Sequence, residues 1–564
     1  MGRVARAPAQ YHLLPLAVSS RFAGIGLVLA ATAAALVYQA WHLGMTADEP
    51  SHFAAAYQYW LGNDVLRPSD TPPLMRIVSG WVPCLLAAPL RRDTDGWRRR
   101  DAYQIGAETF SALDAAHARR LLFLTRLPFL LFPLGVVILV WHWGRTLFGP
   151  WVSLVLAVSA ALEPTTLGHG ALIKSDVAAA FGALLFAWCA WRYWQAPAWH
   201  RLPAVLLALV VAVLAKFTLL PLVVFALILV LVKGPRWATL LVPLAVYFGI
   251  LAAYQFHAAP VEKEELDAFL YAGVPARLLP VATAAARLPW PKQFVRGLLF
   301  IGDNLHHEGF PGYMLGRKIT GTVPLYFPLA WAVKFPIALQ ILTLAGLAAL
   351  AVRLWRRQFR SADLFLWGSA AWFFVTAMFS NFHIGFRHVM PALPFFILGG
   401  GLALERWATG RAARWLALLL LLWLALSSLR VYPQGISYFN EWIGGPENGW
   451  KYLADSNLDW GQNLPELADY VRQHRIARIN LYIFGLDDPG HYLAPRTWFP
   501  QRWPGPPHIQ PGSRLDPAPG IYAVSFNTLA GFLAPDGYQD YLACFRARRP
   551  KGHAGYSIFI YEVE

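Results

Sequence analysis

Two adjacent carboxylates, Asp48 and Glu49, directly follow the first long apolar stretch of the chain. Pro50 favours the start of a helix, and aromatic residues then recur at helical spacing up to Trp60. This pattern predicts an amphipathic helix that lies on a membrane surface. In that position, one carboxylate has the chemistry of a general base and the other that of a partner ligand. The alternative is a helix N-terminus that favours negative charge, and these residues alone leave the two interpretations evenly balanced.

A proline turn and a short polar turn carry the next charged residues. In SDTPPLMR, residues 69–76, the prolines fix a turn and Arg76 has the charge to bind a phosphate. A loop arginine whose head group reaches out of the membrane is the simpler interpretation of Arg76. In GHGALIKSDVAAAF, residues 168–181, Lys174 and Asp176 stand between two apolar stretches. A carboxylate there needs a cation as partner, or it caps the next helix.

The second half of the chain adds His383 and Arg387, in SNFHIGFRHVMPALP, and Lys334, in PLYFPLAWAVKFP. Ordinary anchoring at the membrane interface explains the first two, whereas a cation inside an apolar run needs an anion. The sequence has no HxxxH or HExxH pair, and the side chains of the adjacent triplet His306-His307-Glu308 diverge on regular structure. We therefore predict no metal ligands, although histidines and carboxylates from separate loops leave a divalent metal open.

The elements that must position these residues are membrane helices. Hydrophobic residues make up 57% of the 564 residues and charged residues 14%, against about 25% in soluble proteins. Apolar runs of about 17–25 residues, enough to cross a bilayer as a helix, recur along most of the chain. We predict a polytopic α-helical membrane protein with about eleven spans, near 22–43, 120–143, 151–167, 177–194, 202–217, 218–233, 237–256, 324–352, 363–380, 388–404 and 412–431.

The distribution of basic residues orients these spans. With the N-terminus in the cytoplasm, every short inside loop carries Lys or Arg, in agreement with the positive-inside rule. The first apolar run is too long for a signal peptide and predicts an uncleaved anchor. Residues 44–119 and 257–323 then form large outside loops, and 74–90 is predicted as an interfacial or re-entrant helix; if it spans the membrane instead, the span count and the orientation change. The charged segments at 46–60, 69–76, 168–181 and 380–394 all fall on the same outer face.

The tail, residues 432–564, lacks apolar runs and is predicted to form a small α/β domain outside the membrane. We place a helix at 464–474 and strands at 479–484, 520–526 and 556–563. Its block DSNLDWGQ holds four closely spaced polar residues, namely Asp455, Asn457, Asp459 and Gln462. They could bind an acceptor, but the Asx-turn residues favour a structural junction between the tail and the membrane domain.

The composition also excludes several classes of function. The net charge of +16 comes from basic residues beside apolar segments, which favours topology and contact with anionic lipid over nucleic-acid binding. Cys84, Cys189 and Cys544 are far apart, so neither a disulfide framework nor a cysteine-rich metal site is predicted.

Taken in order, these segments resemble a known family. The acidic pair after the first span, the PPL turn, the outside Asp176 and the segments YFPLAWAVKFP and GFRHVMPALP are similar to bacterial relatives of the protein O-mannosyltransferases. These enzymes form glycosyltransferase family 39, have the GT-C fold and use a sugar on a polyprenyl phosphate. The block FNEWIGGPENGWKYLADSNLDWGQNL, residues 439–464, is similar to one bacterial subgroup, and the resemblance covers nearly the whole chain.

The resemblance implies an inverting transfer of a monosaccharide from a polyprenyl phosphate to a hydroxyl of a protein, lipid or glycan. Asp48 then matches the catalytic base, and Glu49 the acidic neighbour that organises donor and acceptor. Asp176 matches the second acidic position, and Arg387 and Lys334 are expected to hold the carrier phosphate. Where some family members have a lysine beside the proline turn, this chain has Arg76 instead.

His383 and Lys174 complete the expected substrate-binding residues, and the bacterial inner membrane is the expected location. Residues 1–431 would form the GT-C transmembrane domain and 432–564 the periplasmic domain. A transporter or lipid flippase is the alternative, but it predicts charges near the midplane and an inverted repeat, neither of which is visible. A non-catalytic scaffold whose tail binds a partner is a third hypothesis.

Overall fold

The computed structural model describes residues 23–62, 71–262, 264, 267, 283, 284, 287–306, 309–407, 410–495, 497–500 and 509–564. The basic residues ahead of the first span, Ser69 of the proline turn and the pair His307-Glu308 lie outside the described residues. Every other candidate site residue named above falls within them.

Seven helices of the described chain are long and apolar enough to cross a membrane: Ala23–His42, Ala115–Phe148, Asp176–Gln195, Arg236–Ala253, Ile337–Trp355, Phe386–Arg406 and Arg411–Val431. The helices Pro150–Leu162 and Pro164–Gly170 are bent by 56° and add an eighth crossing if they count as one span. Shorter apolar helices occupy Leu74–Leu85, Trp199–Ala215 and Phe217–Lys233. The predicted polytopic helical class is confirmed, and the count of eleven spans stays a prediction.

Helix breaks occur where the sequence removes a backbone donor or places a charge. The predicted span 324–352 consists of the helices Tyr326–Lys334 and Ile337–Trp355, separated at Pro336, which has no backbone N–H to donate. The bend before Pro164 has the buried Glu163 as its cap, since that carboxylate accepts hydrogen bonds from the N–H groups of Thr165 and Thr166.

Among the described residues between the first two membrane helices, the chain forms the helices Glu49–Trp60, Leu74–Ser79, Trp81–Leu85, Asp95–Arg99 and Ala102–Ser111. The helix after the acidic pair is present as predicted, but it is covered on both faces rather than lying open at a surface. Two glycines allow this close packing. A Cβ on Gly106 would stand 2.1 Å from the Pro50 carbonyl oxygen, and one on Gly80 would stand 2.0 Å from that of Ala56.

The strands are β1 Gly312–Met314, β2 Arg317–Ile319, β3 Ile479–Tyr482, β4 Trp498–Pro500, β5 Gly520–Ser525, β6 Gly552–Ala554 and β7 Ile558–Val563. The first two form an antiparallel hairpin, and the tail sheet has the order β4-β3-β5-β7-β6. In it β3 runs parallel to β4 and β5, while β7 is antiparallel to β5 and β6. The helix Leu464–Gln473 covers one face with Leu464, Leu467 and Val471. The helix and three strands predicted for the tail are confirmed within two residues at each end.

Short elements connect these parts. The helix Lys292–His306 precedes the hairpin, and a π-helical turn, Leu364–Gly368, leads into the helix Ser369–Met378. Between the last membrane helix and the tail sheet the chain makes the 3-10 turns Gly435–Ser437, Glu441–Ile443, Pro446–Lys451 and Asp455–Asn457. These turns lie against the ends of the membrane helices, which brings the start of the tail next to the charged segments.

Candidate active site

Asp48 lies where three distant segments of the chain meet. Its Oδ2 accepts hydrogen bonds from Nζ of Lys174 at 2.5 Å and from Nη1 of Arg387 at 3.3 Å. The Asp48 side chain is 18% exposed, whereas those of Lys174 and Arg387 are 7% and 6% exposed. The Asp48 carboxylate is therefore partly exposed to solvent, whereas the two cations that hold it are buried.

Asp176 stands behind Asp48 and shares Arg387 with it. Nη1 of Arg387 lies 3.5 Å from Oδ2 of Asp176, and Nζ of Lys216 lies 2.5 Å from Oδ1. Asp176 is the first residue of its membrane helix, where the N-terminal end of the helix dipole favours a carboxylate. We call Asp48, Lys174, Asp176, Lys216 and Arg387 the ion cluster. It contains three cations and two carboxylates, an excess of positive charge that suits an anionic ligand.

The cations of the ion cluster control the protonation of Asp48 and of the neighbouring His52. Burial by itself raises the pKa of Asp48, but Lys174 and Arg387 outweigh burial and hold this pKa well below its ordinary value. Nε2 of His52 accepts a hydrogen bond from Nζ of Lys174 at 2.9 Å, and burial together with the charge of Lys174 lowers the pKa of His52 well below the usual range. Asp48 is thus ionised and His52 neutral at neutral pH.

Several buried polar atoms around the ion cluster have no hydrogen-bond partner among the described residues. They are Nε of Arg387, Oδ2 of Asp176, Oγ of Ser175, Nδ1 of His169 and Nε2 of His388. Buried polar groups in proteins are nearly always paired, so five such atoms around one cluster need an explanation. A ligand with oxygen atoms would supply acceptors for the guanidinium and partners for the hydroxyl and imidazole groups.

Glu49 faces away from the ion cluster and is fully buried. Arg126 binds it through two bonds, Nε to Oε1 at 2.8 Å and Nη2 to Oε2 at 2.6 Å. The same carboxylate accepts the backbone N–H groups of Thr46 and Ile173, and Arg126 also donates to the carbonyls of Ala40, Leu43 and Gly44. The pair closes the end of the first membrane helix and fixes the loop that carries Asp48.

The other sequence-predicted residues lie outside the ion cluster. Lys334 donates to the carbonyls of Ile436 and Asn457, so carbonyl oxygens take the place of the anion that we expected beside it. His383 accepts a hydrogen bond from the N–H of Val323, at 3.3 Å. The guanidinium of Arg76 is buried and contacts the Thr71 carbonyl at 3.5 Å. Their predicted contacts with substrate stay predictions.

In the block DSNLDWGQ, the indole of Trp460 lies beside two cations of the ion cluster. The guanidinium carbon of Arg387 lies 4.2 Å from the centre of this ring, and Nζ of Lys174 lies 5.5 Å from it. Burial raises the pKa of Asp455, which precedes this ring by five residues, to about 7, although Arg387 opposes the shift. The sequence interpretation of the block as a junction between tail and membrane domain agrees with these contacts.

Comparison with known proteins gives three results. Residues 119–260, about a quarter of the chain, match a family described as dolichyl-phosphate-mannose-protein mannosyltransferase. This part of the chain contains Arg126, Lys174, Asp176 and Lys216. The recognition of a polyprenyl-phosphate-sugar-dependent glycosyltransferase is confirmed.

Among solved structures, the chain is similar to ArnT from Cupriavidus metallidurans in the apo state and bound to undecaprenyl phosphate. In each case the identity is 14% and the alignment covers 96% of this chain and 98% of that chain, with TM-scores of 0.45 and 0.44. No curated protein matches the chain.

Two cations of this glycosyltransferase were not among the residues singled out from the sequence. Lys216 lies near the end of the predicted span 202–217, and Arg126 lies inside the predicted span 120–143. Both carried a usable signal, because an ionised residue within or between apolar runs requires a partner of opposite charge. Asp176 and Glu49, the carboxylates that needed cations, are their partners.

Proposed function

We propose that this glycosyltransferase moves a monosaccharide from a polyprenyl phosphate to an acceptor hydroxyl, with Asp48 as the catalytic base. One observation carries the proposal: the partly exposed Asp48 carboxylate is held by two buried cations that can also bind a phosphate. The description of the matching family names a sugar on dolichyl phosphate, and the donor proposed here has the same chemical class.

Lys174 and Arg387 would bind the phosphate of the donor. Arg387 has an unpartnered Nε among the described residues, and Lys174 provides a point charge at the open side of the ion cluster. Because phosphate and Asp48 share the same cations, binding of the donor weakens the hold of Lys174 and Arg387 on Asp48. The Asp48 carboxylate then becomes a stronger base when the donor is in place.

In the transfer step the acceptor oxygen attacks the anomeric carbon from the side opposite the phosphate. The hydroxyl proton passes to Asp48, the bond between the anomeric carbon and the phosphate oxygen breaks, and the polyprenyl phosphate leaves with its electron pair. Arg387 and Lys174, with Lys216 behind them, stabilise the negative charge that develops on the leaving phosphate. Attack from the opposite side inverts the anomeric centre.

Glu49 acts on this step through Asp48, because its pairing with Arg126 fixes the loop that carries the base. Asp176 in turn holds Arg387 in place from the buried side. We propose the outer face of the bacterial inner membrane as the location, with the N-terminus in the cytoplasm. The membrane domain would comprise residues 1–431 and the tail domain residues 432–564.

The proposal is tested with the purified protein in liposomes that contain polyprenyl-phosphate-linked sugars, with mannose as the first sugar assayed. We expect free polyprenyl phosphate to appear only when a hydroxyl acceptor is present, with the sugar attached to that acceptor. Mass spectrometry of glycans from a deletion strain would identify the sugar and acceptor to use. Movement of an intact lipid-linked sugar across the membrane, without cleavage, would instead establish the flippase alternative.

A further inference from the structure

The tail segment 455–462 is bonded to the loop that precedes Asp48. The N–H of Ala47 donates to the Trp460 carbonyl at 2.8 Å, and the N–H of Gly44 donates to the Gln462 carbonyl at 3.0 Å. The amide of Gln462 accepts from the N–H of Trp460, which stiffens the segment at this point. The backbone next to Asp48 is therefore held by the tail rather than by the membrane helices alone.

The same segment is bonded to the loop that precedes Arg387. Asn457 accepts the N–H of Phe386 through Oδ1 at 2.9 Å, and its Nδ2 donates to the hydroxyl of Tyr326 at 2.9 Å. Ser456 donates its hydroxyl to the carbonyl of Ile384. Residues 44–47 and 384–386 are more than 300 residues apart in the chain, and this one segment connects them.

The segment is itself fixed to the sheet of the tail. Asn527, which follows β5, donates its N–H to Oδ2 of Asp459 at 3.0 Å and its amide to the carbonyl of the same residue at 2.7 Å. Its Oδ1 accepts the N–H of Asp455 at 2.9 Å. The position of the segment thus depends on the folded tail domain.

Trp460 is the part of the segment that contacts the ion cluster. Its indole is 2% exposed, with Arg387 over its face and Lys174 at a greater distance. An aromatic face attracts cations but carries no net charge. It therefore holds the two cations near the phosphate position without competing with a phosphate as a carboxylate does.

We propose that the segment 455–462 is a part of the active site, in which Asn457 sets Arg387 relative to Asp48 and Trp460 positions the phosphate-binding cations. The inference rests on the proposed function, because it assigns the phosphate to Lys174 and Arg387. It gives the tail a role in donor binding in addition to its role as a structural junction.

The test compares Trp460→Leu with Trp460→Phe in the liposome assay. Loss of both cation–π contacts in Trp460→Leu is expected to raise KM for the lipid-linked donor about tenfold, which corresponds to about 1.4 kcal/mol. The KM of Trp460→Leu for the acceptor should stay within about twofold of the wild-type value. Trp460→Phe keeps an aromatic face and should restore most of the donor KM, and binding of polyprenyl phosphate alone should follow the same order.

Asn463→Ala is the matched control, because Asn463 is buried next to the segment and its side chain bonds Gln434 and Ser557, neither of which belongs to the ion cluster. This variant should lower the melting temperature and leave the donor KM unchanged. The inference is overturned if Trp460→Leu keeps the wild-type donor KM, or if Asn463→Ala raises it as much. A wild-type protein that releases no polyprenyl phosphate from any lipid-linked sugar would instead overturn the proposed function.

Discussion

The ion cluster around Asp48 and the pair formed by Glu49 and Arg126 begin one residue apart and differ in solvent access and in hydrogen bonding. Asp48 is partly exposed and shares Arg387 with Asp176. Glu49 is fully buried, and both of its oxygens are occupied by Arg126 and by backbone N–H groups. Consecutive residues at a helix start point about 100° apart, so one carboxylate of the pair can serve chemistry while the other serves the fold.

Two carboxylates that are adjacent in sequence therefore have separate functions in this protein. A carboxylate whose bonds are all satisfied by fixed partners cannot change partners during a reaction. Asp48 can do so, because the cations beside it have a second anion to bind once a phosphate arrives.

Replacement of Asp48 by Asn should lower kcat by about 10²–10⁴-fold, the usual contribution of a general base. The amide keeps the shape of the side chain but accepts no proton. Binding of polyprenyl phosphate should be as tight as in the wild type or tighter, because the variant removes an anion that competes for Lys174 and Arg387. Turnover and binding are measured in the same liposomes, and full activity of the variant would refute the role of Asp48.

Replacement of Glu49 by Gln should instead destabilise the protein by about 3–5 kcal/mol, since it leaves Arg126 buried without its counterion. The melting temperature in detergent measures this loss. Per folded molecule, the variant should retain more turnover than Asp48→Asn. A Glu49→Gln protein with normal melting and a kcat as low as that of Asp48→Asn would place Glu49 in the chemistry itself.

Replacement of Arg387 by Lys should raise the donor KM by about 10–100-fold, because lysine cannot contact Asp48, Asp176 and the Trp460 face with one planar group. The same exchange at Arg353 is the control. Arg353 is also buried and bridges two carboxylates, Asp363 and Glu405. The control should change stability only, and equal donor KM values for the two variants would argue against a phosphate contact at Arg387.

The smallest effect is expected in the pH dependence. In the free enzyme Lys174 and Arg387 keep the pKa of Asp48 low, so the acid limb of kcat/KM should lie well below pH 4. Once the donor phosphate draws these cations away, the pKa rises, and the acid limb of kcat should lie at higher pH by about one unit. In both profiles activity falls as pH falls, because protonation removes the base. Acid limbs at the same pH in the kcat/KM and kcat profiles would show that Lys174 and Arg387 stay bound to Asp48 when the donor is present.

Much of the candidate site was predictable from the sequence. Positive-inside topology placed Asp48, Lys174, Asp176 and Arg387 on the same outer face, and the structure brings them into direct contact. The prediction used only the order of apolar runs and charges, which is the strongest signal in a membrane protein. Lys334 was chosen because a cation inside an apolar run needs an anion. It donates to carbonyls of the tail instead, because carbonyl groups can also solvate an ammonium.

The sequence alone was enough to predict the polytopic helical class and the helix and strands of the tail, because hydrophobic periodicity and bilayer thickness act on local stretches of chain. Tertiary structure decided the partners of each charge. It paired Glu49 with Arg126 and Asp176 with Lys216, and it laid Trp460 beside Arg387. Such choices depend on distances across the packed molecule, and no spacing along the chain encodes them.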